Sequence, residues 1–313
     1  MKDFEKAIAA MNEVKKTVIG KDECIVKVMC ALLAKGHVLI EDIPGVGKTT
    51  MAKAFAKVMQ MDNCRMQFTP DSMPSDIVGF KMYRQDTRTF EYQKGAVFCN
   101  LFLADEINRT SPRTQSALLE AMEEERVSVE GETHSLPKPF MVIATENPYG
   151  SAGTQRLPES QLDRFMICLT MGYPAMEEEL AIVKGKCNTV LPEELVPVLT
   201  KEELLELQHQ VSFVHIDDKV YTYLGKLVQK TRETEEIVLG LSPRATIAIA
   251  RMAQAVAFVS GRSYVIPEDI VYVFADVAAH RLRLRTEGQN RLVQARQICE
   301  IIGKQVAIPT LLR

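Results

Sequence analysis

A chain of 313 residues and 35.1 kDa exceeds the usual size of one domain, and 46% apolar with 25% charged residues supplies core material that rules out a largely disordered protein. The 38 Lys and Arg against 41 Asp and Glu leave no basic excess for covering a long stretch of nucleic-acid phosphates. Seven cysteines, scattered and without a CxxC pair, read as reduced and mostly buried thiols, not metal ligands.

The N-terminal run MKDFEKAIAAMNEVKK places Phe4, Ile8 and Met11 at helical spacing among charges, which predicts a surface helix and not a signal peptide. From about Gly36 to Thr170, short apolar runs alternate with polar turns and helix-compatible sequence. The predicted strands are Val38 to Glu41, Arg65 to Phe68, Val97 to Ala104, Met141 to Thr145 and Phe165 to Leu169. This is the pattern of an α/β domain, a parallel five-stranded sheet with helices on both faces. Past Gly172-Tyr173-Pro174 the strand-like runs fade, so residues 1–172 are expected to form the α/β unit and 173–313 a smaller helical one. Thr200 with Glu203 reads as a capping box, and Ser242-Pro243 and Pro267 read as helix starts. The most apolar helical stretch, 247–259, is too short and too polar to span a bilayer, and a cytoplasmic location is expected.

The segment HVLIEDIPGVGKTTMAKAFAKVM runs strand, turn, helix. Its loop Pro44-Gly45-Val46-Gly47, with Lys48, Thr49 and Thr50, is the candidate nucleotide site. Glycines let backbone N–H groups curl around phosphate oxygens at a helix N-terminus. Lys48 suits the β and γ phosphates of ATP, and the Thr49 hydroxyl suits Mg²⁺. The pattern GxxxxGK[ST] has Asp42 where its first glycine belongs; the carboxylate is expected to point away from the phosphates. Some 55 residues later, the apolar run Leu101 to Ala104 ends in Asp105-Glu106, two acids at a strand tip. Asp105 suits the metal and Glu106 suits the attacking water as general base. Asn147, at the end of the Met141 run, either contacts the γ-phosphate or marks a plain turn before Pro148. Arg164 either contacts phosphate or pairs with its neighbour Asp163, and Arg244 sits in a helix first turn, where a cation opposes the dipole.

Taken together, GHVLIEDIPGVGKTTMAKAFA, FLADEINRTSPRTQSALLEAMEE, IATENP, LPESQLDRF and LSPRA resemble the MoxR family of AAA+ ATPases, over about Val18 to Arg285. The resemblance implies an α/β P-loop NTPase followed by a helical lid. It implies Walker A at Lys48 and Thr49, Walker B at Asp105 and Glu106, sensor 1 at Asn147, an arginine finger at Arg164 and sensor 2 at Arg244. Val18, Ile19 and Gly20, with Thr17, match the adenine pocket, and Arg109 and Arg113 match residues that sense nucleotide across subunits. Hairpin inserts are expected at about 78–97 and 126–136, of the kind shared with magnesium chelatase ATPase subunits. The implied activity is ATP hydrolysis with Mg²⁺ in a homo-oligomer, a hexamer, that remodels a protein partner, with a von Willebrand factor A domain protein as one kind of partner. A nucleic-acid motor and an ATP-binding scaffold with little hydrolysis stand as the alternatives.

Overall fold

The computed structural model describes residues 3–43, 45–147, 157–185, 190–286, 288 and 291–309. Pro44 and Pro148, named above, lie outside them, as does Cys187. Helix α1 (Asp3–Lys15) is followed by α2 (Asp22–Leu33), strand β1 (Val38–Glu41), α3 (Lys48–Val58) and β2 (Asn63–Gln67). A short α4 (Pro74–Val78) leads into the hairpin β3 (Gly79–Arg84) and β4 (Thr89–Lys94), then β5 (Leu101–Asp105) and α5 (Pro112–Glu124). The second hairpin, β6 (Arg126–Val129) and β7 (Glu132–Ser135), precedes β8 (Met141–Glu146), α6 (Glu159–Leu162) and β9 (Ile167–Leu169). Thereafter come α7 (Met176–Gly185), α8 (Lys201–Val211), α9 (Asp218–Glu233), β10 (Ile237–Leu239), α10 (Pro243–Val259), α11 (Pro267–Ala278), β11 (Arg283–Leu284) and α12 (Arg291–Gln305).

The main sheet is five-stranded, in the order β2, β5, β8, β1, β9, and each neighbouring pair is parallel. The three inner strands β5, β8 and β1 are apolar almost throughout because helices cover both faces, and β2 alternates exposed and half-buried residues because it is an edge. Two strands are shorter than the apolar runs suggest. Residues 97–100 turn instead of pairing, and Asn100 closes that turn by donating to Pro139 O at 2.8 Å and accepting from Asp62 N at 3.2 Å. Phe165 belongs to the end of the α6 turn, where its N–H reaches Leu162 O at 3.1 Å.

All parallel strands point their carboxyl ends to one edge of the sheet. The loop after β1, the acids ending β5 and Asn147 after β8 therefore share that edge. Arg164, which precedes β9, lies at the opposite edge with the residues that precede β1: Met166 N donates to His37 O at 2.8 Å. The length of β1, four residues, sets these edges roughly 13 Å apart.

The helices after Tyr173 pack on α1, α2 and the β9 edge. Helix α1 is more enclosed than a surface helix, since Ala7, Ala10 and Val14 are fully buried between α2, α3 and α10. The caps form where the residues indicate them: Thr200 Oγ1 accepts from Glu203 N at 3.2 Å while Glu203 Oε2 accepts from Thr200 N at 3.0 Å, and Ser242 Oγ accepts from Ala245 N at 3.2 Å. Strands β10 and β11 form a small antiparallel pair among these helices. Asp276 on α11, almost fully buried, binds Lys27 of α2 at 2.6 Å and Arg296 of α12 at 2.7 Å, so one carboxylate ties three helices. Six free cysteines are described; Cys30, Cys99, Cys168 and Cys299 are buried and Cys24 and Cys64 half-buried. Among the described residues no helix is long and apolar enough to cross a membrane.

Candidate functional site

At the carboxyl edge of the sheet a cavity of about 370 Å³ is lined by Gly45, Gly47, Lys48, Thr49, Thr50, Arg65, Gln67, Asp105, Glu106 and Asn147. It adjoins a second, of about 240 Å³, lined by Thr17, Val18, Ile19, Lys21, Gly45, Val46, Gly47, Thr50 and Pro174. Gly45, Gly47 and Thr50 border both, so one elongated ligand could place a polar end in the first and an apolar ring in the second. The larger cavity has the phosphate chemistry and the smaller the apolar walls suited to a base.

Gly45 and Gly47 adopt φ of +88° and +94°, a left-handed conformation that glycine supplies without strain, and no atom lies within 4 Å of where a Cβ would stand. The cradle is therefore open, and α3 begins at Lys48 with its first N–H groups facing it. Lys48 Nζ donates to the main-chain oxygen of Asp42 at 3.0 Å. Burial lowers its pKa from the ordinary lysine value, while the carboxylates of Asp42, Asp105 and Glu106 pull it back up. Gly20, beside the smaller cavity, has φ +71°, and a Cβ there would meet the Glu178 carboxyl at 2.3 Å.

Asp42 is buried and its carboxylate turns away from the cradle. Oδ1 accepts from Ile43 N at 2.7 Å and Oδ2 from Gly172 N at 2.6 Å, which ties the mouth of the loop to the segment where the chain leaves the sheet. Lys21 Nζ holds the same segment by donating to Met171 O at 2.8 Å and Gly172 O at 3.1 Å.

The two acids are held by groups the motifs do not reveal. Thr145, fully buried at the end of β8, donates to Asp105 Oδ1 at 2.6 Å and accepts from Glu106 N at 2.9 Å. Arg65, on the edge strand, donates to Asp105 Oδ2 at 2.7 Å and to Gln67 Oε1 at 3.0 Å. Glu106 has φ +57°, a strained conformation for a residue with a Cβ, and its carboxylate pairs with Arg109 at 2.8 Å. Asn147 lines the cavity while its main-chain oxygen accepts from Asn108 Nδ2 at 3.3 Å. Thr49 and Asp105 are oxygen donors of the kind Mg²⁺ takes. Among the described residues no group of three or more His, Cys, Asp and Glu side chains could hold a metal ion.

Arg164 and Arg244 do not line either cavity. Asp163 is taken by buried Arg281, Nε to Oδ1 at 2.6 Å, and Ser242 Oγ reaches its other oxygen at 3.5 Å, so the pairing of Arg164 with its neighbour does not form. Arg164 Nε instead donates to Glu123 Oε2 at 2.8 Å, and Arg244 lies 3.1 Å from Glu123 Oε1. The two arginines stand together by Lys35, Gly36 and His37, at the amino edge of β1. Arg113 is exposed on the first turn of α5. Thr145, Arg65, Gln67, Lys21 and Pro174 escaped sequence reasoning; a lone threonine ending an otherwise apolar strand is the single local signal among them.

The chain is similar to known proteins in sequence and in fold. The family described as "ATPase family associated with various cellular activities (AAA)" matches residues 37–167, and "AAA lid domain" matches 229–302. The chain is 47% identical to the uncharacterized protein YeaC of Bacillus subtilis, over 96% of this chain and 94% of that one. It is 38% identical to "Chaperone MoxR1" of Mycobacterium tuberculosis, over 96% of this chain and 81% of that one. A crystal structure of a Cytophaga hutchinsonii protein assigned as an ATPase superposes with a TM-score of 0.90 at 37% identity, over 98% of this chain and 96% of that one.

Proposed function

Since the chain belongs to the MoxR family of AAA+ ATPases and hydrolyses ATP, we propose that it does so in a hexameric cytoplasmic ring, each site shared by two subunits, to remodel a protein partner. Residues 1–172 form the nucleotide-binding domain in this reading and 173–313 the lid. Gly45, Val46, Gly47, Lys48, Thr49 and Thr50, with Pro44, hold the phosphates, and Val18, Ile19 and Gly20 border the base. Thr49 and Asp105 would hold Mg²⁺, which would neutralise charge on the phosphates. Glu106 takes the proton of the attacking water, and Asn147 orients that water or the γ-phosphate.

The observation that carries the shared site is the position of Arg164 and Arg244. They lie beyond the amino edge of the sheet, with β1 between them and their own Lys48, so the phosphate they serve belongs to a neighbour. Guanidinium groups supplied in trans stabilise charge on the transferring phosphoryl group, by about 10³ to 10⁵ in rate. Arg164→Ala subunits retain a usable nucleotide site and Lys48→Ala subunits retain usable arginines. Mixing the two should restore turnover that neither shows alone, and wild-type turnover per subunit should rise with protein concentration. Flat specific activity down to a demonstrated monomer, with no rescue on mixing, refutes the shared site.

The hairpins support a protein partner over nucleic acid. Three of their five Lys and Arg residues are neutralised in place: Lys81 by Glu132 at 2.7 Å, Arg84 by Glu91 at 2.5 Å and Arg126 by Glu124 at 2.7 Å. Phe80, Met82, Tyr83 and Phe90 are exposed on the first hairpin, and Tyr92 stacks on His134 of the second with centroids 3.9 Å apart. A partner bearing a von Willebrand factor A domain is the client class the family suggests. Affinity capture from native cells with Glu106→Gln as bait tests this, and recovery of nucleic acid in place of protein refutes it.

A further inference from the structure

We propose that Glu123 is a positioning residue that aligns Arg164 and Arg244 as one two-guanidinium clamp for the neighbouring subunit's terminal phosphate; this rests on the shared-site reading above. Glu123 lies in the last turn of α5 and spends one oxygen on each arginine, Oε2 on Arg164 Nε at 2.8 Å and Oε1 on Arg244 at 3.1 Å. The two arginines come from segments 80 positions apart in the chain. Their backbones are docked independently of Glu123: Arg281 grips Asp163 beside the first, and Ser242, which caps the helix of the second, reaches the same Asp163. Those anchors fix where the side chains begin. The direction of the guanidinium groups is set by the shared carboxylate.

Two cations placed this close repel each other, and Arg244 also opposes the positive end of α10. An anion between them offsets both costs. Reciprocally, the hydrogen bond from Arg164 and then the charge of Arg244 lower the pKa of Glu123. Donor accounting separates alignment from masking. A guanidinium carries five N–H donors; Arg164 gives one to Glu123 and one, weakly, to Ser160 O at 3.4 Å, and Arg244 is held through one terminal nitrogen. Both groups keep donors for a phosphate while Glu123 remains in place. A cavity of about 700 Å³, lined in part by Glu120, Glu123 and Arg164, leaves open space beside the pair.

The test compares Glu123→Ala, Glu123→Gln, Arg164→Ala and the Glu123→Ala/Arg164→Ala double variant, each checked for folding by its melting curve. Turnover is measured at concentrations where the wild type is assembled, and binding with a fluorescent ATP analogue. Glu123→Ala should lower kcat about tenfold or more while leaving nucleotide Kd within about twofold. Glu123→Gln, with one acceptor oxygen in place of two, should hold one arginine and fall between. The double variant should lose less than the product of the two single losses, because with Arg164 gone Glu123 has only Arg244 left to align. Glu123→Ala subunits mixed with Lys48→Ala subunits should regain activity, since the lesion sits in the neighbour's site. Wild-type or faster turnover in Glu123→Ala, multiplicative losses in the double variant, or no rescue on mixing each overturn the assignment of Glu123. If Arg164→Ala itself turns over like the wild type, the shared-site reading fails. If Arg164→Ala is slow and rescued by Lys48→Ala while Glu123→Ala is not, only the role of Glu123 fails.

Discussion

Removing the Asp42 carboxylate should weaken the fold without much change in nucleotide binding. Its two oxygens accept from Ile43 N at 2.7 Å and Gly172 N at 2.6 Å in a buried setting. Hydrogen bonds to a charged group contribute about 1.5 to 3 kcal/mol each, and truncation also strands two backbone donors. Allowing for water entering the space, Asp42→Ala should cost about 2 to 4 kcal/mol. At roughly 2 to 4 °C per kcal/mol for a chain of this size class, the melting temperature falls by roughly 5 °C or more. Asp42→Asn keeps one acceptor but turns an amide donor toward a second N–H, so it should lose about half as much. ATP affinity should change by less than about tenfold, or roughly 1.4 kcal/mol, because the contact made by Lys48 is to the Asp42 main chain and survives the substitution. The assays are thermal denaturation without nucleotide and equilibrium titration with it. A gain in affinity well beyond tenfold with an unchanged melting curve would show that the carboxylate repels phosphate, and the reasoning would fall.

Lys48→Ala should lose ATP affinity, whereas Glu106→Gln should bind ATP and stall; wild-type turnover in the latter would remove Glu106 as the base. Arg65 occupies Asp105 Oδ2, which a metal would need, so Arg65→Ala should lower the Mg²⁺ concentration for half-maximal turnover about fivefold, equivalent to about 1 kcal/mol after solvent screening; a higher requirement refutes the competition. Asp276→Ala leaves the Lys27 and Arg296 charges without their shared carboxylate and should cost about 3 to 5 kcal/mol by denaturation; a loss under about 1 kcal/mol contradicts that. Burial lowers the His37 pKa to about 4, with Nδ1 accepting from Val142 N and Nε2 facing Met122 O, and burial followed by the Arg281 charge lowers His280 as well. The unfolded chain binds more protons than the folded one between the ordinary histidine value and pH 4, so stability should fall as pH drops from about 6.5 to 4, by up to about 3 kcal/mol from His37. His37→Phe should flatten that slope, and an unchanged slope rejects His37 as a source.

What the sequence displayed clearly is what lies close together along the chain. The loop from Gly45 to Thr49 and the acids closing the Leu101 run are each written in a dozen consecutive residues, because a phosphate cradle needs strand, turn and helix in immediate succession. The hairpins are legible for the same reason. By contrast, the partner of Arg164 is Glu123, 41 positions away, and the partner of Asp163 is Arg281, 118 away. No local pattern chooses between adjacent Asp163 and distant Glu123 as the anion for Arg164. Arg65 is on an edge strand whose alternation reads as solvated surface, and its reach to Asp105 depends on β2 pairing with β5, a neighbour fixed only by topology. Strands β10 and β11 are three and two residues long, too short to carry a period, and they pair across the fold, Ile237 opposite Leu284 and Leu239 opposite Arg283.

The parallel sheet itself gives a reason for shared sites in such a molecule. Parallel strands collect loops of one kind at the carboxyl edge and another kind at the amino edge, so a group needed at the phosphates but encoded before a strand cannot reach its own ligand. Here β1 carries the cradle at one end and approaches the Glu123, Arg164 and Arg244 cluster at the other. On the shared-site reading, the surface around the cradle and the surface around the arginines are different patches that meet between copies. A contact between different patches is heterologous, and repeated with one rotation it closes into a ring or runs on as a filament. A two-fold dimer would bring like patches together and leave both arginine clusters facing the wrong partner. Each subunit must then lend its arginines in one direction and borrow in the other, so the arrangement that satisfies every site is a closed cycle.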